Sequence, residues 1–210
     1  MYKRQLNTQI VAICDLHETN ISNSLSIIDN LKTSKSHINP KTYSGKKNKW
    51  KLMLKETDAD IVIISTDWDT HGIMAIESMK NNMHVFVEVP LATTIKDLWE
   101  IVNTSEKYQK HCMMMENVNY GREELMFLNI CRKGLLGKLY HGEAAYIHDL
   151  RWQMFEEEIG TGSWRTLQYE KKKGNLYPTH GLGPVSQYMN LLRSEDTFKT
   201  LVSFSSPALG

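Results

Sequence analysis

The chain is 210 residues long, 41% hydrophobic and 23% charged, with a formal net charge of +1. That make-up excludes a disordered chain and leaves room for one large domain or two small ones. With near-neutral charge and no basic stripe interleaved with aromatics, nucleic acid is not an expected partner, and the cationic cluster at 171–173 reads as a solvated loop.

Residues 10–14 (IVAIC) form a β-branched and apolar run ending in Asp15, the pattern of a strand buried on both faces of a parallel sheet. Ile21, Leu25, Ile28 and Leu31 then fall on one helical face. The next buried strand is 61–64 (IVII), the longest wholly apolar run and far shorter than the roughly 20 residues that cross a bilayer. A polar turn at 65–70 follows, and Ile73, Ile76 and Met79 mark a helix. Residues 85–87 make a third strand, stopped at Glu88, Val89 and Pro90 because proline cannot donate to a ladder. Thr94 is placed to cap a helix with Ile95, Leu98, Ile101 and Val102 inward, and 112–115 form a fourth strand. Strands and helices alternating through short connections predict a doubly wound parallel sheet, whose ligands bind at the carboxyl ends of its strands. Those ends carry Asp15, the 65–71 turn, Glu88, and Glu116 with Asn117.

After a helix carrying Leu125, Leu128 and Cys131, the character changes near 134–137. From 138 to 149 the chain alternates with period two. Leu139, His141, Glu143, Ala145 and Ile147 share one face, and Tyr140, Gly142, Ala144, Tyr146 and His148 the other. This predicts the first long strand of a second domain. Residues 151–175 read as a long, polar, functional loop; Val185, Met189 and Leu192 define a helix, and 198–205 begin another strand. The expected architecture is α/β. Residues 1–134 form an incomplete Rossmann-type doubly wound parallel sheet, and 135–210 the start of an α+β domain with a mainly antiparallel sheet.

An acid closing the second strand of a dinucleotide fold accepts hydrogen bonds from a ribose diol, and Asp15 has that context; the same side chain equally suits a helix cap. The glycine-rich loop G-x-G-x-x-G belongs about 20 residues ahead of such an acid, and none of the residues before Asp15 is glycine. Trp68, Asp69, Thr70 and His71 offer a ring cover and a partner for a phosphate or ribose, or else an N-cap at Asp69 or Thr70 beside a packing Trp. Glu88 and Glu116 are either ligand carboxylates or solvent-facing acids. In 174–184 (GNLYPTHGLGP), Tyr177 and His180 precede a helix whose start is marked by glycine and proline. A helix N-terminus disfavours a charged imidazole and keeps His180 available as a neutral base or acceptor. Tyr146 and His148 form a second such pair, and Arg165 lies in the loop between them and Tyr177.

Glu88-Val89-Pro90, Met114-Met115-Glu116-Asn117, Ala145-Tyr146-Ile147-His148 and above all 175–185 resemble glycoside hydrolase family 109, the NAD-dependent α-N-acetylgalactosaminidases, a branch of the Gfo/Idh/MocA oxidoreductase group. The resemblance runs from about Gln9 to Gly210. Its most specific parts are the tyrosine-to-histidine motif and the 68–71 loop. Dehydrogenases of the wider group look like Glu-Lys-Pro at the strand end, with the lysine moving the proton of the alcohol. Val89 carries no proton, so an NAD-dependent sugar dehydrogenase is the alternative reading.

The resemblance implies a terminal α-linked N-acetylgalactosamine, on a small molecule or glycan, as substrate. It implies oxidation at C3 with NAD as hydride acceptor, loss of the C2 proton and of the aglycone from C1, addition of water, and re-reduction. Asp15, Trp68, Asp69, Thr70, His71, Glu88, Val89 and Asn117 would touch NAD. Tyr146, Arg165, Tyr177, Pro178, Thr179 and His180 would touch the sugar. Within this set His180 and Tyr177 would handle the C3 hydroxyl proton, Tyr146 with His148 would serve C2, and Arg165 would anchor hydroxyls or the acetamido group. Cys14, Cys112 and Cys131 have no metal-ligand spacing, so no metal is expected. The missing glycine-rich loop predicts weak NAD binding and makes an inactive fragment a further alternative. Met1 to Gln5 match no part of the family pattern. No apolar run follows Lys3 and Arg4, so as written no signal peptide is read. Compartment and homo-oligomerisation stay open.

Overall fold

The computed structural model describes residues 8–30, 39–156, 162–193 and 196–206. Leu31 and the Met1 to Gln5 segment lie outside the described residues. The chain opens with β1 (Ala12–Asp15), α1 (Glu18–Asn30), β2 (Lys41–Ser44) and α2 (Lys49–Glu56). β1 and β2 pair in parallel, from Ala12 opposite Lys41 to Asp15 opposite Ser44. The sequence pattern missed β2 and α2. Lys-Thr-Tyr-Ser has one apolar-bodied side chain and so no hydrophobic period to read; that side chain, Tyr43, is buried and its hydroxyl donates to Glu56 Oε2 at 3.1 Å. β1 is half-buried rather than enclosed on both faces, because β2 is its only ladder partner among the described residues.

The main core follows. β3 (Ile61–Ile64), α3 (Trp68–Lys80), β4 (His84–Val87), α4 (Ile95–Tyr108) and β5 (Cys112–Met114) build a parallel sheet of order β3-β4-β5. Right-handed crossovers put α3 and α4 on one face. There Ile64, Ala75, Ile76, Met79, Val85, Val87 and Ile101 pack together, and full burial of an Ile, Val or Met side chain contributes about 1.5–3 kcal/mol. A Cβ on Gly72 would lie 3.2 Å from Asp97 Cβ, so glycine lets α3 and α4 approach closely. Thr94 caps α4 as expected, its Oγ1 accepting from Asp97 N at 3.1 Å.

Several apolar positions fall otherwise than expected. β3 is covered on one face only: Ile64 is 3% exposed and Ile63 67%. On α3 the small Gly72 and Ala75 face α4, which turns Ile73 outward. On α4 Ile101 and Thr104 are buried, while Ile95, Leu98 and Val102 are exposed. Two helices on one face of a three-stranded sheet use a narrow stripe of each helix, and the remaining apolar residues stay outside it.

A 3₁₀ turn at Asn117–Tyr120 leads into α5 (Arg122–Arg132). The expected loop at 151–175 instead contains α6 (Arg151–Met154) and α7 (Gly162–Lys171). α8 spans Pro178–Tyr188, earlier than expected, because Pro178 occupies the first helical position, where its missing N–H costs nothing. Met189 caps it, and Leu192, at φ 60°, lies beyond.

The expected strand at 138–149 is not formed. The alternation is present, but no described segment offers a ladder, and Tyr140 and Ile147 are exposed. The segment lies along α8 instead. A Cβ on Gly142 would sit 2.6 Å from Val185 Cγ1, and one on Gly181 2.9 Å from Ala144 Cβ. The same lack of a ladder leaves 198–205 without strand structure.

Candidate active site

The head of α8 organises the site. Asn175 Oδ1 accepts from Tyr177 N at 2.8 Å, and Tyr177 stands at the N-cap position with His180 in the first turn. The pair therefore belongs to the helix start rather than preceding it. Their rings stack, with centroids 5.2 Å apart and planes 6° from parallel. Because Gly142 and Gly181 let 142–146 run close to α8, Tyr146 reaches the same cluster, its ring 5.3 Å from Tyr177 and 4.9 Å from His180. The Tyr146 hydroxyl lies 3.0 Å from His148 Nδ1.

Glu116, at the end of β5, completes the histidine's surroundings. Its Oε1 accepts from His180 Nδ1 at 2.6 Å and from Val118 N at 3.2 Å, and the residue is 3% exposed. A carboxylate against Nδ1 fixes the tautomer and leaves Nε2 for chemistry. The sequence marked Glu116 only as a strand-end acid and left it out of the site. The signal for it was its place one residue before Asn117 at a carboxyl strand end.

Arg165, on α7, lies over the rings of Trp68, Trp164 and Tyr177, with centroid distances of 5.7, 4.8 and 5.7 Å. Its Nη1 donates to Tyr177 Oη. Trp68 meets Trp164 and Tyr177 edge-on, each at 5.1 Å. Burial pushes the Tyr177 phenol above its ordinary value, and the Arg165 guanidinium pulls it partly back. Tyr177 therefore stays a proton holder at neutral pH, and its Oη accepts from the arginine.

These groups, Glu116 apart, line one cavity of about 410 Å³, within the usual span of small-molecule pockets, roughly 300–1,000 Å³. Tyr146, His148, Arg165, Tyr177 and His180 line one side of it, together with Leu150, Gln153 and Trp164, which the sequence did not mark. Trp68, His71, Glu88, Val89 and Asn117 line it from the sheet side, with Ser65 and Thr66 added. Of the missed lining residues only Ser65 and Thr66 had a signal, their place at the end of β3.

The other expected residues lie elsewhere. Asp15 is outside this pocket, and its Oδ1 accepts from His17 N at 2.8 Å and Asn20 Nδ2 at 3.2 Å, the helix-capping use that the sequence left open. Asp69 is likewise not in the lining; its Oδ2 accepts from Gln168 Nε2 at 2.8 Å. Thr70 turns into its own helix head, donating to Asp67 O at 2.8 Å. Neither is the N-cap of α3, which is Asp67. Pro178 is exposed and opens α8, and Thr179 Oγ1 is buried without a protein partner. His71 is 1% exposed, with Nδ1 2.6 Å from Pro90 O and Nε2 3.0 Å from Thr66 O, so it ties α3 to both strand ends as well as facing the cavity.

Residues 1–116 match the family model described as "Oxidoreductase family, NAD-binding Rossmann fold", and 120–210 match "Glycosyl hydrolase 109, C-terminal domain". The chain belongs to the Gfo/Idh/MocA oxidoreductase family, on its glycosyl hydrolase 109 branch. It is 56% identical to a glycosyl hydrolase family 109 protein of Shewanella putrefaciens over 96% of this chain and 43% of that one. It is 55% identical to an alpha-N-acetylgalactosaminidase of Shewanella oneidensis, again over 96% and 43%. The chain thus spans less than half the length of the curated relatives it matches. Among solved structures, an oxidoreductase domain protein from Kribbella flavida superposes with a TM-score of 0.66 at 17% identity, over 87% of this chain and 45% of that one. WlbA dehydrogenase from Bordetella pertussis, solved with NADH and UDP-GlcNAcA, gives 0.51 at 18% identity, over 63% and 37%. At such identities these two speak for the Rossmann-like fold alone.

NAD is the cofactor of this family's Rossmann domain. Its nicotinamide end fits the residues present. Val89, 7% exposed, gives an apolar floor beside the hydroxyls of Ser65 and Thr66, the Glu88 carboxylate and the Asn117 amide. Gln153 Oε1 and Arg165 Nε, on two of the residues that line the cavity, are buried with no protein partner. Buried polar groups are almost always hydrogen-bonded, so such a wall suits a ligand rich in hydroxyl and amide groups.

Proposed function

We propose that this protein removes α-linked N-acetylgalactosamine by transient oxidation at C3. The carrying observation is the convergence of Tyr146, Tyr177 and His180 with Arg165 on one side of a pocket whose other side holds Glu88, Val89 and Asn117. NAD supplies a hydride acceptor that is restored at the end of each turnover. His180, held through Nδ1 by Glu116, takes and returns the C3 hydroxyl proton at Nε2. Tyr177 keeps its own proton and orients that hydroxyl. Tyr146, paired with His148, takes the C2 proton as the aglycone leaves C1, and returns a proton to C2 when water adds at C1. Arg165 holds the sugar through its hydroxyl or acetamido oxygens. Val89 contributes no proton, which favours hydrolysis over net oxidation. The partner is a small molecule or glycan ending in α-N-acetylgalactosamine.

The test is the NAD-loaded whole protein with a chromogenic α-N-acetylgalactosaminide. Aglycone release without net NADH is expected. An NAD-loaded protein that releases none overturns the reading, and steady NADH production from a free sugar replaces it with a dehydrogenase.

A further inference from the structure

Asp69 stands in the family-like loop, yet its carboxylate is occupied by another part of the chain. Gln168 Nε2 donates to Asp69 Oδ2 at 2.8 Å across 99 positions of sequence, and Gln168 is 4% exposed. A hydrogen bond to a carboxylate is roughly twice as strong as one between neutral groups, and burial raises the cost of leaving it unmade. Positions three apart share a helix face, so the face of α7 that carries Arg165 is pinned to the first turn of α3. The neighbouring residues repeat the contact. Trp164, beside Arg165, meets Trp68, beside Asp69, edge-on at 5.1 Å. Two adjacent side-chain pairs therefore clamp the head of α3 to α7, and the Arg165 guanidinium lies over both tryptophans on its way to Tyr177.

We infer that Gln168 is a positioning residue: by holding Asp69 it sets the placement of α7 from which Arg165 reaches Tyr177. Its consequence for turnover rests on the proposed glycosidase reading, while the clamp itself does not.

The test is an exchange of hydrogen-bond roles in the whole protein. Gln168→Glu sets two carboxylates against each other, and Gln168→Ala removes the donor. Asp69→Asn with Gln168→Glu restores one bond with its direction reversed. The expected result is a KM for the chromogenic glycoside raised about tenfold in either single variant, the effect of roughly one lost hydrogen bond. The rate constant kcat should change less, since Arg165 binds rather than transfers protons. The double variant should return KM to within about twofold of wild type.

In this 210-residue chain with Trp50, Trp99 and Trp152 changed to Phe, Trp68 and Trp164 serve as the emission probes. Their emission should shift in the single variants and return in the double. Wild-type KM and emission in Gln168→Ala, or a double variant no better than Gln168→Glu, overturns the inference. If Gln168→Glu does not fold, the double variant set against Gln168→Ala decides by the same comparison. If the wild-type protein cleaves no glycoside, the functional reading falls and the emission pattern alone judges the clamp.

Discussion

The layer of α3 and α4 on β3-β4-β5 and the region from 135 to 206 meet the demand for burial in opposite ways. In the first, Ala75, Met79, Val85 and Val87 are each 0% exposed. In the second, Tyr140, Ile147, Leu201 and Phe204 are each 92–93% exposed. Among the buried residues of that second region, Leu150 and Tyr177 line the site and Gln168 bonds Asp69 on α3. α8 rests on α5 and on the 117–120 turn, and Trp164 rests on Trp68. The site thus draws its geometry from contact between the two regions rather than from a second core. A pocket wall held in this way depends on a few side-chain pairs, of which Glu116 with His180 and Asp69 with Gln168 are polar.

The largest effect should come from the site itself. Replacing His180 by Ala should lower glycoside hydrolysis by roughly 10²–10⁴, the usual contribution of a positioned acid or base, with NAD affinity close to wild type. A loss below tenfold would move the proton-transfer role to Tyr146. Next comes the contrast of cores. Met79→Ala should cost about 2–5 kcal/mol in urea denaturation, whereas Leu201→Ala should stay within about 0.5 kcal/mol. Equal costs would break the comparison by revealing packing around Leu201.

The smallest effect is alkaline. Burial raises the Tyr177 phenol in the folded chain, while the unfolded chain releases that proton near its ordinary value of about 10. Between the two values the folded state holds more protons. The stability so contributed is fully present below about pH 10 and is lost as pH rises through the folded value. Tyr177→Phe should therefore flatten the alkaline fall of the denaturation midpoint, and equal slopes in the two proteins would show that Tyr177 is not the buried phenol responsible.

The parallel sheet was readable because Ile61–Ile64 and the 85–87 run are compact apolar segments, and because Thr94 and Pro90 punctuate the chain chemically. Much of the site was readable for a related reason: strand ends and a proline-led helix start leave local marks at Glu88, Asn117, Tyr177 and His180. Trp164, Gln153 and Gln168 had none, since they lie in a polar stretch whose helices are held by contacts far away in sequence. For Asp15 and Asp69 likewise the sequence did not name the intramolecular partners, His17 and Asn20 for the first and Gln168 for the second. Asp15 closes β1 and Asp69 lies in the first turn of α3, and which partner a carboxylate takes depends on what the fold brings to it.

By itself the sequence determined the strand-helix alternation, the polar strand ends and the tyrosine-to-histidine motif, because hydrophobic period, capping and proline geometry act over a few residues. The tertiary structure alone decided that 138–149 would lie along α8 without a ladder. It also decided that Glu116 would hold His180 and that α7 would bring Arg165 over Trp68. These are long-range pairings, set by close approach at Gly142 and Gly181 and by buried polar groups whose partners no local pattern names.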